Sequence, residues 1–165
     1  GEDNENLATV LIKELIKRNE SLVFAESCTG GLLSSQITSV SGSSKIFKGS
    51  VIVYSNELKN LLLNVPKELL NTYGAVSEEV AESMAIGVKN KLNSDWAISV
   101  SGIAGPSGGC ESKPIGLVFI AITGPNNETI KIKKQYNPLR NRNEIQRLSV
   151  NDCLNSLRLI LLSNK

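Results

Sequence analysis

Apolar positions recur at helical spacing at the start of the chain, at Leu7, Val10, Leu11, Leu15 and Ile16, and predict an amphipathic helix ending near Asn19. The period then changes. Leu22 to Ala25 is a short unbroken apolar run, read as a buried strand, and it leads through Glu26-Ser27-Cys28-Thr29-Gly30-Gly31 into a helical stretch reaching about Val40. After Ser41-Gly42-Ser43-Ser44, Val51 to Tyr54 reads as a second strand, and Ser55 or Asn56 caps a helix that Pro66 ends. Ser77, followed by Glu78 and Glu79 at the positive end of the dipole, starts a helix running to about Leu92. Trp96 to Val100 is the next strand and Gly102 to Gly109 a glycine-rich loop. Ile115 to Thr123 is a continuous apolar strand buried on both faces. The turn Gly124-Pro125-Asn126-Asn127 leads to a more polar strand near Thr129 to Tyr136, and a last helix spans about Asn141 to Ser163. Helices and strands alternate early and a hairpin follows late. The expected architecture is therefore α/β, a three-layer α/β/α sandwich whose mixed central sheet is covered by helices on both faces.

At 165 residues the chain fits one domain, 1–165, with no internal repeat, linker or low-complexity stretch. The net charge of +2 and an aromatic content of 4% give no argument for a nucleic-acid or membrane partner and no base-stacking platform. The polar start GEDNENLA lacks the basic and apolar regions of a signal peptide, and no run approaches a membrane span, so a soluble, cytoplasmic protein is expected. The three cysteines, Cys28, Cys110 and Cys153, have no CxxC spacing and suit a reducing compartment. Asp and Glu show no clustered metal-site spacing, and neither a metal nor a cofactor is expected. Self-association is compatible with a compact single domain, though no interface signature stands out.

The absence of histidine narrows the chemistry most. Ser/His/Asp and Cys/His triads, HExxH zinc sites and histidine general bases are excluded, which leaves Lys, Tyr, Asp, Glu, Cys or water to move protons. Two polar, glycine-bearing loops, Glu26 to Gly31 and Ser101 to Gly109, each follow an apolar strand, where α/β sheets usually bind ligands. Ser27 and Thr29 offer hydroxyls where a helix begins, and Gly30-Gly31 lets backbone approach a ligand closely. Free amides and the dipole there favour a phosphate, a carboxylate or a tetrahedral oxyanion. A plain helix cap explains Ser27 or Thr29 equally well. A nucleophilic Ser27 needs a base, and a neutral lysine, a tyrosine or a carboxylate with a shifted pKa would serve, lysine being the better-attested partner. The segment Tyr54-Ser55-Asn56-Glu57-Leu58-Lys59 can bring phenol and amine towards the first loop, although an isolated helix lysine is ordinarily a solvated surface charge. Gly105-Pro106-Ser107-Gly108-Gly109 matches G-x-S-x-G, but a strand follows it and a nucleophile elbow needs a helix and a histidine.

Read together, AESCTGGLLSSQIT (25–38), GSSKIFKGSVIVYSNELKNLLLNVP (42–66), YGAVSEEVAESMA (73–85) and SGIAGPSGG with KPIGLVFIA (101–121) resemble the C-terminal domain of the competence/damage-inducible protein CinA, over about residues 7–162. That family includes stand-alone nicotinamide-nucleotide amidases. The resemblance implies metal-independent deamidation of nicotinamide mononucleotide (NMN) to nicotinate mononucleotide and ammonia, in pyridine nucleotide salvage. It casts Ser27 as nucleophile, Lys59 as base, and Tyr54 as the group that orients the lysine or passes its proton. It casts Glu26, Cys28, Thr29, Gly30 and Gly31 of the nucleophile loop as substrate-binding, with the amides following Ser27 as an oxyanion hole. Ser101, Gly102, Ala104 and Gly105 would hold the nucleotide, and Arg142 its phosphate. Many members read R-x-x-I-R at the last helix, whereas here Arg142 and Ile145 are followed by Gln146. Many also carry an additional N-terminal domain, for which these residues leave no room. A nucleotide-binding or scaffold protein of the same fold, or a hydrolase of another amide, are the competing expectations.

Overall fold

The computed structural model describes residues 6–163. The first helix, α1 (Leu7–Arg18), starts at Asn6, whose side chain accepts from the Ala8 and Thr9 amides, and stops at Asn19 in a left-handed conformation. Then follow β1 (Leu22–Glu26), α2 (Leu32–Thr38), a 3₁₀ turn (Ser43–Lys45), β2 (Phe47–Ile52), α3 (Asn56–Leu63), α4 (Lys67–Tyr73) and α5 (Glu78–Leu92). The chain ends in β3 (Trp96–Gly102), β4 (Leu117–Thr123), β5 (Thr129–Gln135) and α6 (Arg142–Ser163). The five strands form one mixed sheet in the order β2-β1-β3-β4-β5, with β1 parallel to β2 and β3, and β4 antiparallel to β3 and β5.

Alternation along β1 divides the core. Leu22 and Phe24 point into a cluster with Leu11 and Leu15 of α1, Leu33 of α2 and Leu154 and Leu157 of α6. Val23 and Ala25 point the other way, against Leu63 of α3, Leu70 of α4 and Val80 and Met84 of α5. All five β1 residues are buried, which is why this strand reads as an unbroken apolar run ending in a buried carboxylate. The architecture is the three-layer α/β/α sandwich with a mixed sheet.

Several boundaries differ from the sequence reading, among them the end of β3, which takes in Ser101 and Gly102 rather than stopping at Val100. The second strand is Phe47–Ile52 rather than Val51 to Tyr54, because β2 is an edge strand whose Lys48 falls at a register shift and whose Gly49 and Ser50 pair through backbone, without an apolar face to announce them. The first two residues of the Ile115–Thr123 run lie outside β4, where Gly116 takes a positive φ. The second helix stops at Thr38, short of Val40. No helix among the described residues is long and apolar enough to cross a membrane.

The parallel register of β1 and β3 pairs Glu26 with Val100, and that of β1 and β2 pairs Glu26 with Ile52. The segments after all three strands therefore emerge on one edge of the sheet. Two backbone bonds extend the pairing beyond the strands: Ser27 N–H donates to the Val100 carbonyl at 3.1 Å, and Val53 N–H to the Glu26 carbonyl at 2.9 Å.

Candidate functional site

Lys59 stands on the first turn of α3, whose start is fixed by Ser55 accepting the Leu58 amide at 3.1 Å. Side chains on a helix lean towards its N-terminus, so the Lys59 chain runs back to the edge where β1 and β2 end. The residue is 1% exposed. The Nζ lies 3.1 Å from Ser27 Oγ, 2.8 Å from the Val53 carbonyl oxygen and 3.1 Å from the Tyr54 carbonyl oxygen. Among the described residues no carboxylate forms an ion pair with it. Burial disfavours the charged form and lowers its pKa from 10.5 to about 8.

The three neighbours have a consequence for the neutral amine. An uncharged Nζ carries two N–H bonds and one lone pair. With the two carbonyls taking the N–H bonds, the lone pair faces Ser27, and the amine is set to receive the hydroxyl proton. The two carbonyls carry no side-chain signal, so sequence reasoning could not have found them.

Ser27 itself is 8% exposed, on the first residue past β1. It opens a four-residue turn closed by the Gly30 N–H on the Ser27 carbonyl at 3.1 Å, and Gly30 and Gly31 follow with positive φ of 57° and 106°. Its neighbour Cys28 is not a rival nucleophile. That side chain is buried in the α1/α6 core cluster, and burial pushes the thiol up to about 12.

Several expected ligand contacts are committed internally instead. Glu26 is fully buried, and its carboxylate accepts from Thr29 Oγ1 at 2.7 Å, from the Gly31, Leu33 and Ser34 amides at 3.2, 2.9 and 3.0 Å, and from Ser34 Oγ. It thus caps α2, whose own N-cap Gly31 has no side chain to do so. The start of α2 is therefore satisfied by the chain itself, which corrects its expected role as an anion site, and neither Glu26 nor the Thr29 hydroxyl is aimed at a ligand. The Cys28 side chain likewise faces the core. What the loop still offers is backbone: among the described residues, the Cys28 and Thr29 amides donate to no backbone or side-chain oxygen.

The second loop joins the first at this edge. Ser101 is 1% exposed and gives its hydroxyl to the Ala75 carbonyl at 2.7 Å, tying β3 to the segment before α5. Ala104 is buried and Gly102 half-buried, while Gly105, at φ 79°, precedes a cis peptide to Pro106. Arg142, at the start of α6, donates to the Gly105 carbonyl at 2.8 Å and to the Tyr54 phenol oxygen at 2.9 Å. Tyr54 is 61% exposed, and it reaches the amine through its carbonyl while its phenol turns outward to Arg142. Among the described residues the phenol forms no hydrogen bond with Lys59, so of the two roles expected for Tyr54 the orienting contact comes from its carbonyl oxygen and not from the phenol. The guanidinium has only neutral partners among the described residues, and it borders a cleft of about 530 Å³ lined by Pro106, Ile115, Pro138, Leu139 and Arg140. Gln146, one turn further along α6, donates from Nε2 to the Cys28 carbonyl at 2.9 Å.

An α/β/α sandwich with a buried serine–lysine contact at the carboxyl edge of its parallel strands is the class this geometry defines. The model of the CinA C-terminal domain family matches residues 4–161, and the chain belongs to that family. It is 70% identical over 164 residues to a CinA-like protein of Prochlorococcus marinus (strain MIT 9215), covering 99% of this chain and 39% of that protein. The chain thus spans about two fifths of the length of the curated relatives it matches. Among solved structures it resembles the competence/damage inducible protein CihA from Agrobacterium tumefaciens, at 35% identity and a TM-score of 0.90, covering 94% of this chain and 93% of that one. A CinA superfamily protein from Klebsiella pneumoniae 700603 is similar at 28% identity and a TM-score of 0.91, covering 96% and 99%.

Proposed function

We propose that the chain is a serine amidohydrolase that deamidates nicotinamide mononucleotide to nicotinate mononucleotide and ammonia, in cytoplasmic pyridine nucleotide salvage. The observation that carries this reading is the Ser27–Lys59 contact, with a buried amine held by two carbonyls and its pKa brought down to about 8. A protein that only bound a nucleotide would have no use for an uncompensated buried lysine against a serine. The amide substrate itself comes from the family resemblance.

In the first half-reaction Ser27 Oγ attacks the carboxamide carbon and its proton passes to Lys59 Nζ, while the Cys28 and Thr29 amides receive the charge developing on the carbonyl oxygen. Lys59 then returns the proton to the departing nitrogen, the C–N bond breaks, and ammonia leaves an acyl-serine. Water attacks that ester, giving its proton to Lys59. Collapse restores the Ser27 hydroxyl and frees the carboxylate product. Arg142, which has no acidic partner among the described residues and lies beside a cleft of a size suited to a small ligand, would take the 5′-phosphate.

The test is ammonia release from nicotinamide mononucleotide by purified protein, beside Ser27→Ala, with free nicotinamide and glutamine as controls. Release that disappears in the variant is the expected result. Equal release by the variant, or none by the folded wild type, would discard the reading. For the phosphate contact, Arg142→Ala should raise KM roughly 10- to 100-fold, the worth of one charge-assisted hydrogen-bonded contact, with a smaller effect on kcat. If KM for the nucleotide were unchanged, Arg142 would have to be reassigned to holding the Gly105 loop and Tyr54.

A further inference from the structure

The Cys28–Thr29 peptide is the middle one of the turn that follows the serine, and it is held from one side only. Its carbonyl accepts from Gln146 Nε2 at 2.9 Å, while its N–H has no oxygen acceptor among the described residues. The bond is trans, since the one cis peptide among the described residues is Gly105–Pro106. In a trans planar peptide the C=O and N–H point in opposite directions, so an anchor on the Cys28 oxygen also sets where the Thr29 N–H points. In four-residue turns the amide of the third residue lies within reach of the first residue's side-chain oxygen, as Asx and ST turns show. Here the first residue is Ser27 and the third is Thr29, and their turn is closed by Gly30 N–H on the Ser27 carbonyl.

The rest of the loop is pinned independently. Ser27 N–H is held by Val100, and the Thr29 hydroxyl and Gly31 amide are held by Glu26. Those bonds fix both ends of the turn, and none of them is made by the C=O or N–H of the middle peptide. Gln146 supplies the missing constraint from α6, a helix whose start is itself fixed by reciprocal bonds between Asn141 and Glu144. A hydrogen bond accepted at the carbonyl also polarises the peptide and makes its N–H a better donor.

We infer that Gln146 is a positioning residue: by holding the Cys28 carbonyl it aims the Thr29 amide at the oxygen that becomes negative when Ser27 attacks the substrate amide. The inference rests on the amidase reading above and adds to it how the oxyanion site is oriented. It also gives Gln146, where the resemblance implies an arginine, a role in the nucleophile loop rather than at the phosphate.

The experiment compares wild type, Gln146→Met, Gln146→Arg and Ser27→Ala by steady-state ammonia release from nicotinamide mononucleotide. It also follows the Thr29 amide resonance in ¹⁵N-threonine-labelled protein, with thermal melts to establish folding. Methionine keeps the length of glutamine and removes the donor, whereas arginine restores one. Gln146→Met should lower kcat about 10- to 100-fold, somewhat less than deletion of an oxyanion donor costs, with KM within twofold. It should displace the Thr29 resonance and speed its exchange with solvent. Gln146→Arg should recover kcat and resonance together. Wild-type kcat with an unmoved Thr29 resonance in Gln146→Met, or a rise in KM in place of a fall in kcat, overturns the inference while the amidase reading stands. An inactive wild type, or a fully active Ser27→Ala, overturns the reading and the inference with it.

Discussion

Lys59→Met should lower kcat on nicotinamide mononucleotide by about 10³-fold or more, near the upper range for loss of a general base, and leave the protein folded. Methionine nearly matches the aliphatic length of lysine, so the cavity stays filled and Ser27 stays in place without a proton acceptor. The wild-type pH profile follows from the same geometry. The neutral amine is the working form, and with a pKa near 8 its fraction rises with pH, so kcat/KM should climb through about pH 8 and level off above it. Stability supplies a readout independent of turnover. The folded pKa of about 8 lies below the ordinary lysine value of 10.5, so between those values the unfolded chain binds more protons than the folded one. Folding free energy should therefore increase with pH across that window in wild type, and this component should vanish in Lys59→Met. Urea titrations at pH 7.5 and 10 on both proteins measure it. A kcat within tenfold of wild type in Lys59→Met would remove the lysine from the mechanism, whatever the stability data showed.

How much of this could be read from the sequence depends on whether a residue acts through its side chain or its backbone. The three layers were legible because β1 and β3 are buried on both faces and α1, α5 and α6 carry clear apolar stripes or caps. β2 was misplaced because an edge strand with Lys48 and Gly49 in it has no apolar period to detect. Ser27 and Lys59 were legible as a pair once histidine was excluded and the family motifs were set side by side, and the structure brings them to 3.1 Å. The division of labour around them was not. Glu26 reads in sequence like another polar group of the loop, and only the pairing of β1 between two strands reveals that it points beneath the loop rather than out of it. Tyr54 offers a conspicuous phenol, yet the atom that meets Lys59 is its carbonyl oxygen. Gln146 stood out as a departure from the usual arginine, but its partner is 118 positions away, a distance no local pattern spans.

Glu26→Ala should be the most destabilising single change at this edge, costing about 3–5 kcal/mol, the range for uncovering a buried, hydrogen-bonded charge site. The reason lies in what is left behind. Five donors converge on the carboxylate: the amides of Gly31, Leu33 and Ser34 and the hydroxyls of Thr29 and Ser34. Alanine would strand these donors where Thr29 and Leu33 have almost no access to water, and would leave α2 without any cap. Glu26→Gln keeps the shape and one acceptor oxygen but turns an NH₂ towards groups that are themselves donors, so it should lose nearly as much. By contrast, Ser27→Ala removes one hydroxyl from a single contact with Lys59 and should stay within about 1 kcal/mol of wild type. Urea unfolding of the three variants in parallel separates the roles of adjacent residues: a large drop for both Glu26 variants and almost none for Ser27→Ala is expected. Should Glu26→Gln unfold at the wild-type midpoint, the carboxylate would not be what orders this loop. Its proximity to Ser27 would then need a reason in the chemistry instead.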